Sequence, residues 1–225
     1  MTEAWLVAEL LALTVLVPIG AFLIGSIPFG YLVGRFAYRT DLRQHGSGNI
    51  GAMNALRTLG TKGAIAVLLL DAAKGVVSVI LAPHQFMVHA RSTFAVAHTP
   101  NFSSIAGACA VLGHCFSPWL GWKGGKGVAT AFGAIFALCW PAGLVCVGVW
   151  LLGALVVTRY SSVGSMLAMI VAPFALYGFT RSPAEALFGA FAAVLVVWTH
   201  RENIARLRQG TEGRISLFER KGPPA

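Results

Sequence analysis

Charged side chains are scarce in this chain of 225 residues: only 11% are Asp, Glu, Lys or Arg, while 56% are hydrophobic. Soluble globular domains carry about 25% charged residues, so the composition excludes an ordinary soluble domain. The mean hydropathy of +0.73 indicates an integral membrane protein instead. The eight Asp and Glu residues are too few and too scattered to form the clustered carboxylates that hard cations require, so we expect no metal site and no cofactor.

Cysteine is also rare, with one residue at each of positions 109, 115, 139 and 146. No pair has the spacing typical of zinc or redox sites, and each lies in or beside an apolar run, so we expect buried, reduced thiols.

The net charge is +9, yet no basic cluster is interleaved with aromatic residues. This distribution argues against nucleic-acid binding and favours the cytoplasmic loops of a membrane protein.

What the chain does contain is a series of long apolar runs. The first carries Glu3 and Glu9 in place of the basic start of a signal peptide, and it is long enough to span a bilayer. Pro141 favours a break between the fourth and fifth runs, because proline disrupts a helix interior. The predicted spans lie near residues 4–29, 63–82, 93–116, 128–140, 142–158, 163–180 and 184–200.

The basic residues predict the orientation of these seven spans. With the N-terminus outside and the C-terminus in the cytoplasm, all but three of the 17 Lys and Arg residues fall in inside segments. The exceptions are Arg91 and Arg181 outside and Lys74 within the second span. Such a bias is typical of inner loops. The sequence therefore predicts an all-α integral membrane protein, with residues 1–225 forming a single membrane-embedded domain and the polar loops converging on the cytoplasmic face.

Residues 121–127, called here the Gly–Lys loop, hold four glycines and two lysines between two apolar runs. Glycines allow backbone N–H groups to converge on an anion, and lysines add positive charge. The loop fails the nucleotide-binding pattern, because Gly127 stands where that pattern needs Ser or Thr. It predicts a phosphate ligand without a nucleotide, and a flexible turn of snorkelling lysines is the alternative. The candidate ligands are Lys123, Gly124, Gly125, Lys126 and Gly127.

A second glycine-rich loop contains Gly46, Ser47, Gly48 and Asn49. Ser47 and Asn49 are candidate caps for the helix that follows, whose N-terminal N–H groups attract anions. The loop therefore predicts a phosphate site with Gly46, Gly48 and Asn49 as candidate ligands, and a plain loop with a cap is the alternative interpretation. Further along that helix, Asn54 is a candidate donor, and Arg57 suits a phosphate because guanidinium binds oxyanions through two parallel hydrogen bonds.

Polar residues also follow later spans. His200 and Asn203 share one face if helical, and a neutral histidine can accept a proton from a hydroxyl group. An interfacial anchor is the alternative for this pair. Ser161 and Ser162 either donate to a phosphate or cap the next helix, with capping as the default expectation.

Three further polar residues lie within or at the ends of apolar runs. Asp71 and Lys74 stand one helical turn apart in the second predicted span, and we expect them to pair and to brace the site from beneath. His114 ends the third run directly before the Gly–Lys loop, and both an interfacial role and a site role remain open for it.

Together these motifs resemble the bacterial acyl-phosphate:glycerol-3-phosphate acyltransferases, the PlsY family. The matching stretches are residues 25–30, 46–57, 113–118, 123–130, 200–207 and 210–212. The resemblance implies a seven-helix fold in the bacterial plasma membrane with a cytoplasmic active site. It implies acyl transfer from acyl phosphate to the 1-hydroxyl of sn-glycerol 3-phosphate, giving lysophosphatidate and phosphate, with Ser47, Ser162, His200 and Asn203 in catalytic roles. Met53 stands where the family usually has threonine.

The sequence also carries signals about the acyl donor and about the alternative function. Glycerolipid acyltransferases that use acyl-CoA or acyl carrier protein carry a His-x-x-x-x-Asp pair, and no histidine here has an aspartate five residues later. A transporter of a phosphorylated solute is the alternative function. Transport normally needs a polar path at the membrane midplane, whereas most polar residues here are predicted to lie on one face.

Overall fold

The computed structural model describes residues 3–82 and 102–215, and these residues form helices and loops without any strand. Two π-helical turns, Val33–Ala37 and Leu152–Val157, extend the second and sixth helices. The helices are α1 (Glu3–Ser26), α2 (Phe29–Leu32), α3 (Ala52–Leu81), α4 (Phe102–Cys115), α5 (Val128–Leu138), α6 (Trp140–Leu151), α7 (Ser161–Thr180), α8 (Pro183–Thr199) and α9 (Arg201–Arg208).

Each predicted span corresponds to an apolar helix, although the start of the third and the loop before it lie outside the described residues. The predicted break near Pro141 is confirmed: Cys139 is extended, and Pro141 lies in the first turn of α6, where proline is tolerated. Within the described residues, four helices are long and apolar enough to cross a membrane, and the number is five if the pair α8–α9, bent by 54°, is counted as one span. The chain is a multi-pass membrane protein.

The helix α3 begins well before the apolar run that predicts it. It starts at Ala52, and Gly60 interrupts it with a left-handed φ of 79° that side chains rarely adopt. The segment 52–59, with Asn54, Arg57 and Thr58, is therefore separated from the apolar segment 61–81. Hydropathy alone finds only the second segment, yet the first carries Asn54 and Arg57 towards the site.

Close contacts between helices depend on small residues. A Cβ atom added to Gly113 of α4 would lie 2.1 Å from the Phe22 carbonyl oxygen of α1. A Cβ atom on Gly75 of α3 would lie 2.1 Å from the Thr130 carbonyl oxygen of α5. Small residues at such crossings let helix backbones approach closely in a membrane. The bundle is therefore packed tightly beneath the loops that carry the candidate site residues.

Candidate active site

Residues from both glycine-rich segments, from the start of α7 and from residues 200–213 surround one cavity of about 420 Å³. The predicted convergence of the polar loops is therefore present in the described structure. The predicted site residues that line the cavity are Ser47, Asn49, Asn54, Arg57, Lys126, Gly127, Ser161, Ser162, His200 and Asn203. Those that do not line it are Gly46, Gly48, Lys123, Gly124 and Gly125.

Asn54 shapes the first glycine-rich loop. Its amide nitrogen lies within 2.7–3.0 Å of three backbone carbonyl oxygens, and its Oδ1 accepts a hydrogen bond from the Ser47 N–H at 3.0 Å. The expectation that Ser47 or Asn49 caps α3 is wrong, because Gly51 is the N-cap residue and no side chain caps it. The loop is held instead by an amide reaching back from inside the helix.

The Gly–Lys loop is tied to the end of α4. The N–H groups of Gly124 and Gly125 donate to the carbonyl oxygens of Cys115 and His114 at 3.0 and 2.9 Å. These two amides therefore satisfy the last turn of α4, and their contact with a phosphate stays a prediction. Lys126 extends into the cavity, where its ammonium group donates to Asn203 Oδ1.

Glu212 connects the parts of the site, and sequence reasoning missed it. Its Oε1 accepts hydrogen bonds from Ser162 Oγ at 2.8 Å and from Asn203 Nδ2 at 2.6 Å. Its Oε2 accepts one from Arg206 Nε at 2.8 Å. Capping by the serines of α7 is also wrong, since Tyr160 is the N-cap residue without a side-chain cap. The available signal was an acidic residue between Arg208 and Arg214, within the matching stretch 210–212.

The end of α9 explains how Glu212 reaches the cavity. Gly210 has a φ of 70°, and the N–H of Thr211 donates to the Arg206 carbonyl oxygen at 2.8 Å. This glycine-dependent C-terminal motif reverses the chain direction. The returning segment is held again where the Ile215 N–H donates to the Arg159 carbonyl oxygen at 2.7 Å, and the Gly213 carbonyl oxygen lies 3.4 Å from Arg57 Nη2.

His200 lies at the bend between α8 and α9, with a buried side chain that lines the cavity. Its Nδ1 is 2.7 Å from the Val196 carbonyl oxygen. A carbonyl oxygen only accepts hydrogen bonds, so Nδ1 carries the proton and Nε2 is the basic nitrogen of the neutral ring. The ring is therefore held in the tautomer that can accept a proton at Nε2.

The charged groups at the cavity influence one another. Burial lowers the pKa of Lys126 to about 8, and the positive charge of Arg206 contributes to the lowering while Glu212 opposes it. Burial raises the pKa of Glu212, but hydrogen bonds from Asn203, Arg206 and Ser162 outweigh burial and hold that pKa below its ordinary value. Glu212 is therefore ionised at neutral pH, and Lys126 remains mostly cationic there.

A buried ion pair lies beneath this network. Lys74 Nζ is 2.9 Å from Asp71 Oδ1 and donates to the Ile27 carbonyl oxygen at 2.9 Å. The predicted pairing of Asp71 with Lys74 is confirmed. His114 is buried as well, with Nδ1 3.5 Å from Asp71 Oδ1, and both side chains line the cavity.

The other end of the cavity is apolar and lies between α3, α5 and α6. Leu68, Phe132, Val147 and Leu151 line it. Leu68 and Leu151 are 46% and 43% exposed, so the apolar end adjoins the lipid-facing surface of the bundle. One cavity thus joins a polar, basic end to an apolar end.

In residues 3–82 and 102–215, no three His, Cys, Asp or Glu side chains are grouped closely enough to hold a metal ion.

Comparison with known proteins identifies the family. The model of the family described as glycerol-3-phosphate acyltransferase matches residues 15–210. This chain belongs to that family. A glycerol-3-phosphate acyltransferase of Synechococcus sp. (strain JA-3-3Ab) is 44% identical, over 94% of this chain and 95% of that one. One of Paramagnetospirillum magneticum is 46% identical, over 92% and 94% of the two chains.

The fold agrees with that of a solved member of the family. Crystal structures of PlsY, an integral membrane glycerol 3-phosphate acyltransferase, match with TM-scores of 0.78 in the glycerol 3-phosphate form and 0.75 in the lysophosphatidic acid form. Their sequence identities to this chain are 36% and 34%, and each match covers 89% of this chain and 94% of the other. The resemblance to this acyltransferase family is confirmed.

Proposed function

We propose that this chain transfers a fatty acyl group from acyl phosphate to the 1-hydroxyl of sn-glycerol 3-phosphate, the first acylation of phospholipid synthesis. The observation that supports this function best is the cavity itself. Its basic end suits the phosphates of the two substrates, and its apolar end between α3, α5 and α6 suits the start of an acyl chain. Residues 1–225 act as one membrane-embedded acyltransferase domain.

The residues at the polar end have distinct proposed roles. Arg57 and Lys126 bind phosphate oxygens, and Ser47, Ser161 and Asn49 add neutral donors to them. Asn203 and Ser162 orient the substrate from the Glu212 network. Such positioning aligns the glycerol hydroxyl with the acyl carbonyl and supplies much of the rate enhancement.

The chemical step is direct transfer without a covalent acyl-enzyme. The 1-hydroxyl oxygen attacks the acyl carbonyl carbon, and the bond from that carbon to the phosphate oxygen breaks. Inorganic phosphate leaves with the bonding electron pair, so a strong general acid is unnecessary. The hydroxyl proton passes to His200 Nε2 or to a substrate phosphate.

Orientation in the membrane completes the proposal. Seven spans, with the N-terminus outside and the cavity facing the cytoplasm of a bacterial cell, fit the bias of the basic residues. A cysteine at position 181 should then react with an impermeant thiol reagent added to intact cells, and one at position 208 should not. The reverse pattern would contradict the orientation.

The activity is tested directly with purified protein, acyl phosphate and labelled glycerol 3-phosphate. Lysophosphatidate and phosphate should appear in equal amounts without acyl-CoA or acyl carrier protein. Uptake of glycerol 3-phosphate into vesicles without acylation would favour a transporter instead.

Two variants test the chemical step. His200→Ala should lose most turnover if Nε2 is the proton acceptor, whereas full turnover would leave a substrate phosphate as the base. An acyl group trapped on Ser47 would overturn direct transfer, and Ser47→Ala should correspondingly retain measurable turnover.

A further inference from the structure

The ring of His114 lies directly against the Gly–Lys loop. A Cβ atom added to Gly125 would lie 2.0 Å from His114 Nε2, so the ring occupies the space that any side chain would need. The backbone of His114 also holds Gly125, since the His114 carbonyl oxygen accepts a hydrogen bond from the Gly125 N–H at 2.9 Å. His114 therefore contacts Gly125, the residue before Lys126, through both its ring and its backbone.

The other side of the ring faces the buried ion pair. Asp71 Oδ1 is 3.5 Å from His114 Nδ1 and 2.9 Å from Lys74 Nζ. The three residues are at most 3% exposed. Removing charges from water is costly, and charged groups within a membrane protein are retained chiefly where they serve a site. The ring thus packs beside the ion pair in a buried layer, and its Nδ1 is too far from Asp71 for a good hydrogen bond.

Lys126 is correspondingly fixed in position. Its carbonyl oxygen accepts a hydrogen bond from Thr199 Oγ1 at 3.0 Å, and its ammonium group donates to Asn203. We propose that His114 is a positioning residue: its ring, packed beside Asp71, fixes Gly125 and thereby directs the Lys126 ammonium group into the cavity. The role of Lys126 in binding a substrate phosphate rests on the proposed function, but the mechanical coupling does not.

A double-mutant cycle tests this coupling. In the wild-type background, the methyl group of Gly125→Ala collides with the ring and displaces the loop, so kcat/KM should fall by about tenfold or more, mainly through a higher KM for glycerol 3-phosphate. In a His114→Ala background the ring is absent, and the same change should cost about twofold or less. Gly178→Ala is the matched control in both backgrounds, because nothing lies within 4 Å of its added Cβ atom.

A second readout needs no substrate. The rate at which an amine-reactive ester labels Lys126, followed by peptide mass spectrometry, should rise with Gly125→Ala in the wild-type background and change little in the His114→Ala background. Equal effects of Gly125→Ala in the two backgrounds, on KM and on labelling, would overturn the inference. Should His114→Ala fail to purify as folded protein, His114→Asn, which lacks the ring, takes its place under the same criterion.

These readouts separate the two proposals. If wild-type protein shows no acyl transfer while the labelling rates remain coupled, the proposed function fails and the positioning role stands. If wild-type protein is active and Gly125→Ala has equal effects in both backgrounds, the positioning role fails and the function stands.

Discussion

Replacing Lys126 by arginine isolates the contribution of one ionisable group to the pH dependence of acyl transfer. Burial and Arg206 lower the pKa of Lys126 to about 8. Lysine binds a phosphate as a cation, so binding should weaken as the pH rises through this value. Arginine stays protonated throughout the accessible range. The variant should therefore lose the alkaline decline, whatever its maximal rate.

The expected magnitude follows from the fraction of Lys126 that is cationic. With a pKa of about 8, that fraction is about nine-tenths at pH 7 and about one-tenth at pH 9. The value of kcat/KM for glycerol 3-phosphate should therefore fall about tenfold between these pH values. The substrate phosphate contributes little to this decline, because its second pKa is about 6.

The assay is initial-rate lysophosphatidate formation between pH 6.5 and 9.5, corrected for spontaneous breakdown of acyl phosphate in samples without enzyme. Each profile is normalised to its own maximum. Lys62→Arg, at an exposed position on α3, is the matched control and should keep the wild-type profile. An identical alkaline decline in Lys126→Arg, or a wild-type profile that stays flat to pH 9.5, would refute the reasoning.

Three further substitutions have defined outcomes. Glu212→Gln should cost about 2 kcal/mol of stability by thermal unfolding in detergent, and the exposed control Glu202→Gln should cost nothing measurable. The pKa of Glu212 is lowered in the folded protein. The stability that ionised Glu212 contributes is therefore present above the ordinary glutamate pKa and is lost as the pH falls through the lowered pKa of the folded state. Only wild-type protein should show this loss of stability in acid, and an equal loss in Glu212→Gln would contradict the role of the carboxylate. Arg57→Lys should raise the KM for glycerol 3-phosphate by about tenfold, because lysine lacks the planar fork; an unchanged KM would remove Arg57 from phosphate binding. Gly75→Ala should cost about 1–3 kcal/mol by overpacking α3 against α5, whereas Gly178→Ala has open space at its Cβ position; equal unfolding midpoints would contradict the close packing.

The sequence predicts well those features that depend on local chemistry. The break near Pro141 is such a feature, since a proline inside a helix removes a hydrogen bond and clashes with the preceding turn. The pairing of Asp71 with Lys74 is another, because two opposite charges one turn apart within an apolar run have few other partners. Convergence of the polar loops followed from charge placement along the chain.

Features that depend on contacts between distant segments were less accessible. The capping expected of Ser47 and Ser162 follows from helix propensity, but in the structure Asn54 and Glu212 engage those residues from elsewhere in the chain. The long start of α3 was missed because a glycine kink at Gly60 separates it from the apolar run. Glu212 lies within the matching stretch 210–212, but it was missed because a single carboxylate does not by itself reveal which side chains donate to it.

The chain reversal at Gly210 also has a consequence for biosynthesis. The carboxylate that joins Ser162, Asn203 and Arg206 comes from residue 212, after every apolar helix of the described structure. During synthesis the apolar helices can enter the bilayer, but the hydrogen-bond donors Ser162, Asn203 and Arg206 lack their shared acceptor, Glu212, until the final segment leaves the ribosome. The order of translation itself therefore delays completion of the site, so incomplete chains in the membrane should remain inert towards the substrates.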